Sequence, residues 1–350
     1  MIQTTRTQAP VRAAHTSLGP TWPPEHDRWN SRVKGLFSEP ISARWQLDRA
    51  LDEGANTVLG IASGQPSRLT MRFIVPNDMH LPQNPNEFTR GSLHVLLNVS
   101  GWGGGIEASM DLGRVVPGHR MIYYGFNGPN RDATPNLSQL EIASAHEVAT
   151  MSVAVSEDSF RRVRDAGFTI DAPLALSDAE VATITRLYQQ AFPKYIFPLD
   201  NDSVGGFLRN PSNIALIARD VTGRPVSSLV AEHMLLSVGE RTINFIEVSE
   251  AATDDDYRGN GLLTALYRKM IDVLHNGDGQ GRSGYDPSNT IVYAESRAPW
   301  VPANVITRRG GGMDVCGLLV RHCTIVATRN PNMQYPGEFE DLVVWHLSSF

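Results

Sequence analysis

Cysteine is nearly absent from the 350-residue chain, which has only Cys316 and Cys323. Two thiols cannot build a disulfide framework or a four-ligand structural zinc site, and both read as reduced. Long apolar runs are also missing: none approaches the roughly 20 residues a helix needs to cross a bilayer, so no membrane span is expected. Nor is there a positive excess, since 31 Lys and Arg stand against 37 Asp and Glu, a formal net charge of -6. Affinity for a phosphate backbone comes from clustered Lys and Arg, so nucleic acid is not an expected partner, whereas a cationic small molecule suits the balance. The ten His residues show no HxxxH pair or other ligand spacing, so no metal is expected. Met1 to Ala13 holds Arg residues without an apolar signal core, which points to a cytoplasmic location.

What is present is an ordinary globular composition, 41% hydrophobic and 19% charged, in a chain long enough for two domains. Residues 1–40 are polar and rich in Pro and read as an irregular lead-in. Residues 41–170 read as an N-terminal α/β domain of unassigned role: a helix over Ile41 to Glu53, strands at Leu69 to Val75, Leu93 to Val99, Met121 to Tyr124 and Val148 to Val155, and a helix over Glu157 to Ala166. The glycine run Gly101 to Gly105 reads as a mobile turn between strands. A different pattern begins at Pro173 and defines a domain over 173–350. Ser177 and Glu180 have capping-box spacing ahead of a helix that runs to Ala191. Strands at Ile214 to Arg219, Val226 to Leu236 and Thr242 to Ser249 come next. A helix over Leu262 to Leu274 then buries Leu262, Leu266, Met270 and Leu274. A Gly-rich loop over His275 to Asn289, a strand Ile291 to Ala294, a short helix Ala303 to Arg309 and strands Val315 to Val326 and Leu342 to Leu347 complete a mixed α/β order.

The segment Asp256-Tyr257-Arg258-Gly259-Asn260-Gly261-Leu262-Leu263 joins a strand to the amphipathic helix. A helix start offers unpaired N–H groups and partial positive charge, and glycines let a diphosphate approach the backbone. Arg258 adds a cation. A dinucleotide fold expects three spaced glycines early in a βαβ unit, and a Walker loop expects Gly-Lys-Ser/Thr; neither fits. Taken alone, Gly-x-Gly before a helix is more often a plain connection.

Strand, Arg258-Gly259-Asn260-Gly261 and helix together resemble the acetyl-CoA motif of the GNAT superfamily, Arg/Gln-x-x-Gly-x-Gly/Ala. The match holds at Arg258 and Gly261, while Leu263 stands at the last place and leaves less room beside the cofactor. The order of elements from Ser177 to Leu347 is similar to that family's over about half the chain. A narrower resemblance, to beta-lysine N-acetyltransferases, is carried by Ala191-Phe192-Pro193-Lys194-Tyr195-Ile196-Phe197-Pro198, by Glu247-Val248-Ser249-Glu250-Ala251-Ala252-Thr253, by Ala294-Glu295-Ser296-Arg297-Ala298 with Asn304, and by Gly317-Leu318-Leu319 with Glu340 to Trp345. In the N-terminal half, strand, helix and Gly167-Phe168 echo the same layout, as a degenerate second repeat would.

The resemblance implies a GNAT-like mixed sheet flanked by helices, acetyl-CoA as cofactor, and transfer of an acetyl group to a small-molecule amine in a ternary complex. It implies that the cofactor is held by Arg258, Gly259, Asn260, Gly261, Leu262 and Leu263, by the backbones of Ala251, Ala252 and Thr253, and by Asn304. An alkyl ammonium, pKa ~10.4, must lose a proton before it attacks a thioester. Glu250 is the first candidate base and Glu247 the second. In a regular strand Glu247, three positions earlier, points to the opposite face, which a β-bulge would change. Each is equally readable as a solvated or ion-paired strand residue. Asn304 is equally readable as a cap, and tight packing is the lesser alternative for Ala251 and Ala252. Many GNAT enzymes protonate the leaving thiolate with a Tyr that Ala303 to Gly312 lacks, which leaves Tyr293, solvent or the thiolate itself. Asp254, Asp255 and Asp256, which would repel a phosphate, are expected to face water or to attract the cationic amine, with solvation the safer reading. Two other readings stay open: a CoA-binding regulatory or scaffold module without turnover, and acylation of a protein lysine or an amine-bearing antibiotic. The sequence carries no sign of oligomeric state.

Overall fold

The computed structural model describes residues 44–46, 68–77, 103–127, 147–153, 156–192, 198–238, 241–279, 282–298, 300–323 and 340–350. Its strands are β1 Arg44–Gln46, β2 Arg68–Pro76, β3 Gly103–Asp111, β4 His119–Asn127, β5 Thr169–Asp171, β6 Ile214–Arg219, β7 Pro225–Val238, β8 Arg241–Thr253, β9 Thr290–Arg297, β10 Asp314–Cys323 and β11 Glu340–His346. Its helices are α1 Ser156–Asp165, α2 Asp178–Ala191, α3 Asn201–Leu208, α4 Leu262–Asn276 and α5 Val301–Arg309. The strands form one sheet in the order β1-β2-β4-β3-β10-β11-β9-β8-β7-β6-β5. The class is mixed α/β, as expected: β8 and β9 run parallel and every other recorded pair is antiparallel.

The helices flank the sheet. On one face α4 lays down Leu262, Leu266, Met270 and Leu274, all at most 2% exposed, against Leu229, Ala231, Ile246, Val248 and Val292. Burial of such a side chain contributes about 1.5–3 kcal/mol, so the stripe at helical spacing holds α4 to the sheet. On the opposite face α2 and α3 cover β6 and β7 through Ile184, Tyr188, Val204 and Phe207, packed on Ala215, Ile217 and Val230. Farther along that face, Met110 of β3, Tyr123 of β4 and Leu112, Val115 and Val116 of the turn between them pack with Phe245, Tyr293 and Val344. The N-terminal strands join through β3 and β10, at Gly317 opposite Ala108. A Cβ at Gly317 would stand 2.2 Å from the Glu107 carbonyl, so only glycine permits this approach.

The capping box predicted for α2 is present, with Ser177 accepting from the Glu180 amide and Glu180 from the Ser177 amide. Four expectations need correction. Within the helix expected over Ile41 to Glu53, Arg44–Gln46 is a strand paired with Arg72 to Ile74 of β2, and the remainder lies outside the described residues. The strand expected from Val148 to Val155 is helical over 147–150: Val148 is 2% exposed in the α4-side core, and the Thr150 hydroxyl donates to the Glu147 carbonyl. The glycine run is strand from Gly103, because pairing with Gly125 to Asn127 of β4 satisfies its backbone and overrides weak propensity. The loop expected from His275 begins only after Asn276 and ends in a 3-10 turn at Pro287–Asn289. The strand expected over Leu93 to Val99 lies outside the described residues.

Candidate active site

Two features of β8 open a cleft in the sheet. First, β8 pairs with β9 only from Asn244 opposite Thr290 to Glu247 opposite Tyr293, although β8 continues to Thr253 and β9 to Arg297. The parallel strands therefore part after Glu247. Second, β8 spends three steps from Ser249 to Ala252 where β7 spends two from Val230 to Ser228, which is a one-residue bulge. Glu250 occupies it with φ 47, left-handed for a residue that has a Cβ. Such a backbone costs about 1–3 kcal/mol and persists only where its surroundings fix it.

The bulge brings both candidate bases to one face. Glu232 lies opposite Glu247 in the β7–β8 register. The Ser249 hydroxyl meets Glu232 Oε1 at 2.7 Å and also contacts the Glu250 carboxylate. A regular strand would have turned Glu250 away from Glu247. All three carboxyls are buried, with Glu247 only 1% exposed. The Tyr293 hydroxyl donates to Glu247 Oε2 at 2.5 Å, and the Tyr293 ring stacks on Phe245 at 4.4 Å. Tyr293, a sequence-level candidate for protonating a thiolate, thus has its hydrogen directed at Glu247. A second phenol, Tyr267 of α4, is buried against α5 and hydrogen-bonded to Thr307 at 3.2 Å. Burial, more than the Glu247 and Glu250 charges, pushes it up to about 12.

At the open end of β8 the chain turns into α4. Gly259 (φ 83) and Gly261 (φ 76) are both left-handed, and Gly261 is the N-cap, with no side-chain cap hydrogen bond. A Cβ at Gly259 would meet nothing within 4 Å. The backbone at Gly259 is therefore unobstructed on that side, and the start of α4 carries no side-chain cap, two conditions that favour the approach of an anion. Around this point the loop is well braced. The Asn260 side chain donates to the Tyr257 carbonyl at 3.0 Å, and the Tyr257 hydroxyl donates to Asp220 at 3.0 Å. Hydrogen bonds from Thr222, with lesser help from Tyr257 and the Arg224 amide, hold Asp220 at about 2.

Arg258 pairs with Asp255 at 2.8 Å and lies 5.8 Å from the Trp300 ring. Asp254 is 7% exposed and pairs with Arg224. The water-facing role expected for the three aspartates is corrected for Asp254, which is buried and ion-paired; Asp255 and Asp256 are exposed as expected. Leu262 is core, and Leu263 is half-buried against it. Ala252 is buried beneath α2, its carbonyl accepts from Ser227, and the Thr253 hydroxyl meets the same serine. Ala251 is half-buried in the bulge, next to Glu250. The Asn304 amide is taken up inside the protein, accepting from Ser296 and donating to the carbonyls of Arg297, Ala298 and Trp300. Trp345 donates to the same Ser296 hydroxyl at 2.7 Å, so Asn304, Ser296 and Trp345 fix the end of β9 to α5 and β11.

Sequence reasoning missed Arg162. It comes from α1, before the expected domain boundary, and its Cδ lies 3.9 Å from where a Cβ on Gly261 would stand. Its spacing from the cradle motif is about 100 residues of chain, which no local pattern reveals. Among the described residues no group of three His, Cys, Asp or Glu can hold a metal ion, and no helix is long and apolar enough to cross a membrane.

No protein-family model matches the chain, and no curated protein matches it. Among solved structures, it is similar to Arabidopsis thaliana NAA60 in complex with a bisubstrate analogue, at 12% identity over 51% of this chain and 97% of that one, TM-score 0.38. It is similar to spermidine N-acetyltransferase from Vibrio cholerae at 13% identity over 51% and 92%, TM-score 0.36. It is similar to a GNAT superfamily phosphinothricin acetyltransferase from Sinorhizobium meliloti in complex with AcCoA, at 14% over 51% and 86%, TM-score 0.36. Likeness at this level carries no argument about activity.

Proposed function

We propose that this chain is a GNAT-type, acetyl-CoA-dependent N-acetyltransferase of a small-molecule primary amine, with residues 173–350 as its acetyltransferase unit. The observation that carries the reading is the conjunction of an uncapped, glycine-lined helix start with parted parallel strands and a bulged glutamate. Open space above Gly259 and the left-handed Gly261 fit a diphosphate, and the parted edge of β8 fits an arm that pairs like an added strand. The amides of Leu262 and Leu263 would hold the diphosphate, with Arg258 and Arg162 supplying charge. The backbones of Ala251, Ala252 and Thr253 would line the arm. When bound, acetyl-CoA supplies an activated acyl carbon and a thiolate leaving group.

Glu250 takes the proton from the acceptor's ammonium. The neutral amine, oriented in the cleft, then attacks the thioester: an N–C bond forms, the C–S bond breaks, the thiolate takes up a proton, and one proton passes to solvent. Glu247, held by Tyr293, adds negative potential that draws the cation in. The resemblance in sequence favours a diamino acid such as beta-lysine as acceptor, and a cytoplasmic setting. Two sequence features favour a second reading, a CoA-binding module without turnover: Leu263 stands where the motif has Gly or Ala, and α5 holds no Tyr.

Thiol release from acetyl-CoA across an amine panel tests the proposal. Glu250→Gln is expected to lower kcat by about 100-fold or more while coenzyme A affinity stays within twofold. Coenzyme A binding without thiol release for any amine supports the module instead.

A further inference from the structure

We propose that the hydroxyls of Tyr188 in α2 and Ser228 in β7 form, with Glu250, the pocket that receives the acceptor's ammonium group. This rests on the acetyltransferase reading and deepens it, because it names residues that choose the acceptor. Both side chains are fully buried, at 0% exposure. Neither hydroxyl makes a hydrogen bond of full geometry, and the two contact each other, Ser228 opposing the rise of the Tyr188 phenol. The neighbouring Ser227, by contrast, is bonded to the Ala252 carbonyl and to Thr253. A single contact with each other leaves further donor or acceptor capacity on each buried hydroxyl unfilled, and buried unfilled capacity is rare and destabilising, which points to a ligand.

Their position points to the chemistry of that ligand. Ser228, Val230 and Glu232 alternate onto the face that α2 covers, and Ser228 lies opposite Ala252, just past the bulge that carries Glu250. Burial first, and then the charge of Glu250, raise the Tyr188 phenol far above its ordinary value, with the Ser228 hydroxyl opposing and Glu232 adding to the rise. Tyr188 is therefore a neutral phenol that senses both carboxylates and the serine. A primary ammonium has three N–H bonds to place, and the phenol oxygen, the serine oxygen and the Glu250 carboxylate are three acceptors. Each N-methyl group on the amine would remove one donor. An anionic group would meet the Glu232 and Glu250 charges.

The test is calorimetric, on the full chain. Coenzyme A is titrated first; butylamine, N,N-dimethylbutylamine, 1,4-diaminobutane and lysine are then titrated into the saturated complex. Wild type is expected to bind its best primary amine at least tenfold more tightly than the dimethylated one. Tyr188→Phe and Ser228→Ala are each expected to weaken that primary amine at least tenfold and to leave coenzyme A affinity within twofold. They should also leave the melting temperature equal or higher, since each removes a buried hydroxyl with unfilled capacity. In turnover, KM for the amine rises in step while kcat changes less. Amine affinity within twofold of wild type in both variants overturns the pocket, as does a panel that fails to bind the coenzyme A complex. A first titration without coenzyme A binding sinks the acetyltransferase reading itself and is seen before any amine is added.

Discussion

At the start of α2 the Ser177 hydroxyl accepts from the Glu180 amide at 3.3 Å and the Glu180 carboxylate accepts from the Ser177 amide at 2.8 Å, so the helix satisfies its own first donors. At the start of α4 the N-cap is a left-handed glycine with no side-chain cap, and the space above the neighbouring Gly259 is empty to 4 Å. Both helices are long and well packed, so stability does not explain the difference. At α4 the left-handed backbone of Gly261 favours glycine and rules out the extended backbone a capping serine or aspartate needs, so the helix start is left without a side-chain acceptor. The difference agrees with a structural start for α2 and with the ligand site proposed at the start of α4. Gly317 supplies a third case, a glycine that backbone from β3 presses upon and that serves only packing.

Changing the start of α4 should have the largest consequence. Gly261→Asp places at this left-handed position a residue that tolerates it better than most and sets a carboxylate where the diphosphate would lie. Like charges about 4 Å apart near a surface repel by about 4 kcal/mol, so the thermal shift produced by coenzyme A should correspond to an affinity loss of about 100-fold or more. Gly317→Ala should leave that shift unchanged and instead lower the unfolding free energy by about 1–3 kcal/mol, read by denaturant titration, because its methyl group has no room. Ser177→Ala should cost about 1 kcal/mol in the same titration, again without effect on coenzyme A.

The smallest effect concerns acid. The Ser177 hydroxyl above all, with the Ser177 amide and Arg219, lowers the Glu180 carboxyl below its ordinary value of 4.5. A folded-state value below the unfolded one means a contribution that is complete above about pH 4.5 and lost as pH falls through the lowered value. Melting curves from pH 6 to 3 should therefore show wild type converging on Glu180→Gln toward the acid end. Parallel curves would contradict this.

The same contrast explains what was legible in the sequence. The α2 capping box, the α4 stripe and the strands β6 to β9 are local patterns, and local patterns survive translation into structure. Helix α3 escaped notice because Gly205 and Gly206 lower its helical propensity. Asp200 caps it, and Gly205 packs so closely on α2 that a Cβ would stand 3.2 Å from Val181. Strand β1 and the helical turn at 147–150 were misjudged because tertiary pairing and burial outweighed short apolar patterns. At the site, the segment from Arg258 to Leu263 was visible as a strand-to-helix junction, whereas the bulge at Glu250 entered only as an exception to a regular strand, because no local pattern fixes one. Arg162, Tyr188 and Ser228 lie in no motif with it. They reach the cleft only through the packing of α1 and α2 and the register of β7.

The central claim is that the backbone from Gly259 to Leu263 holds the diphosphate of coenzyme A. Calorimetric titration of the full chain with coenzyme A and, separately, with pantetheine, which lacks the phosphates, tests it most directly. The account predicts saturable binding of coenzyme A and at least 100-fold weaker binding of pantetheine; equal affinity for the two, or no heat from coenzyme A at millimolar concentration, would contradict it.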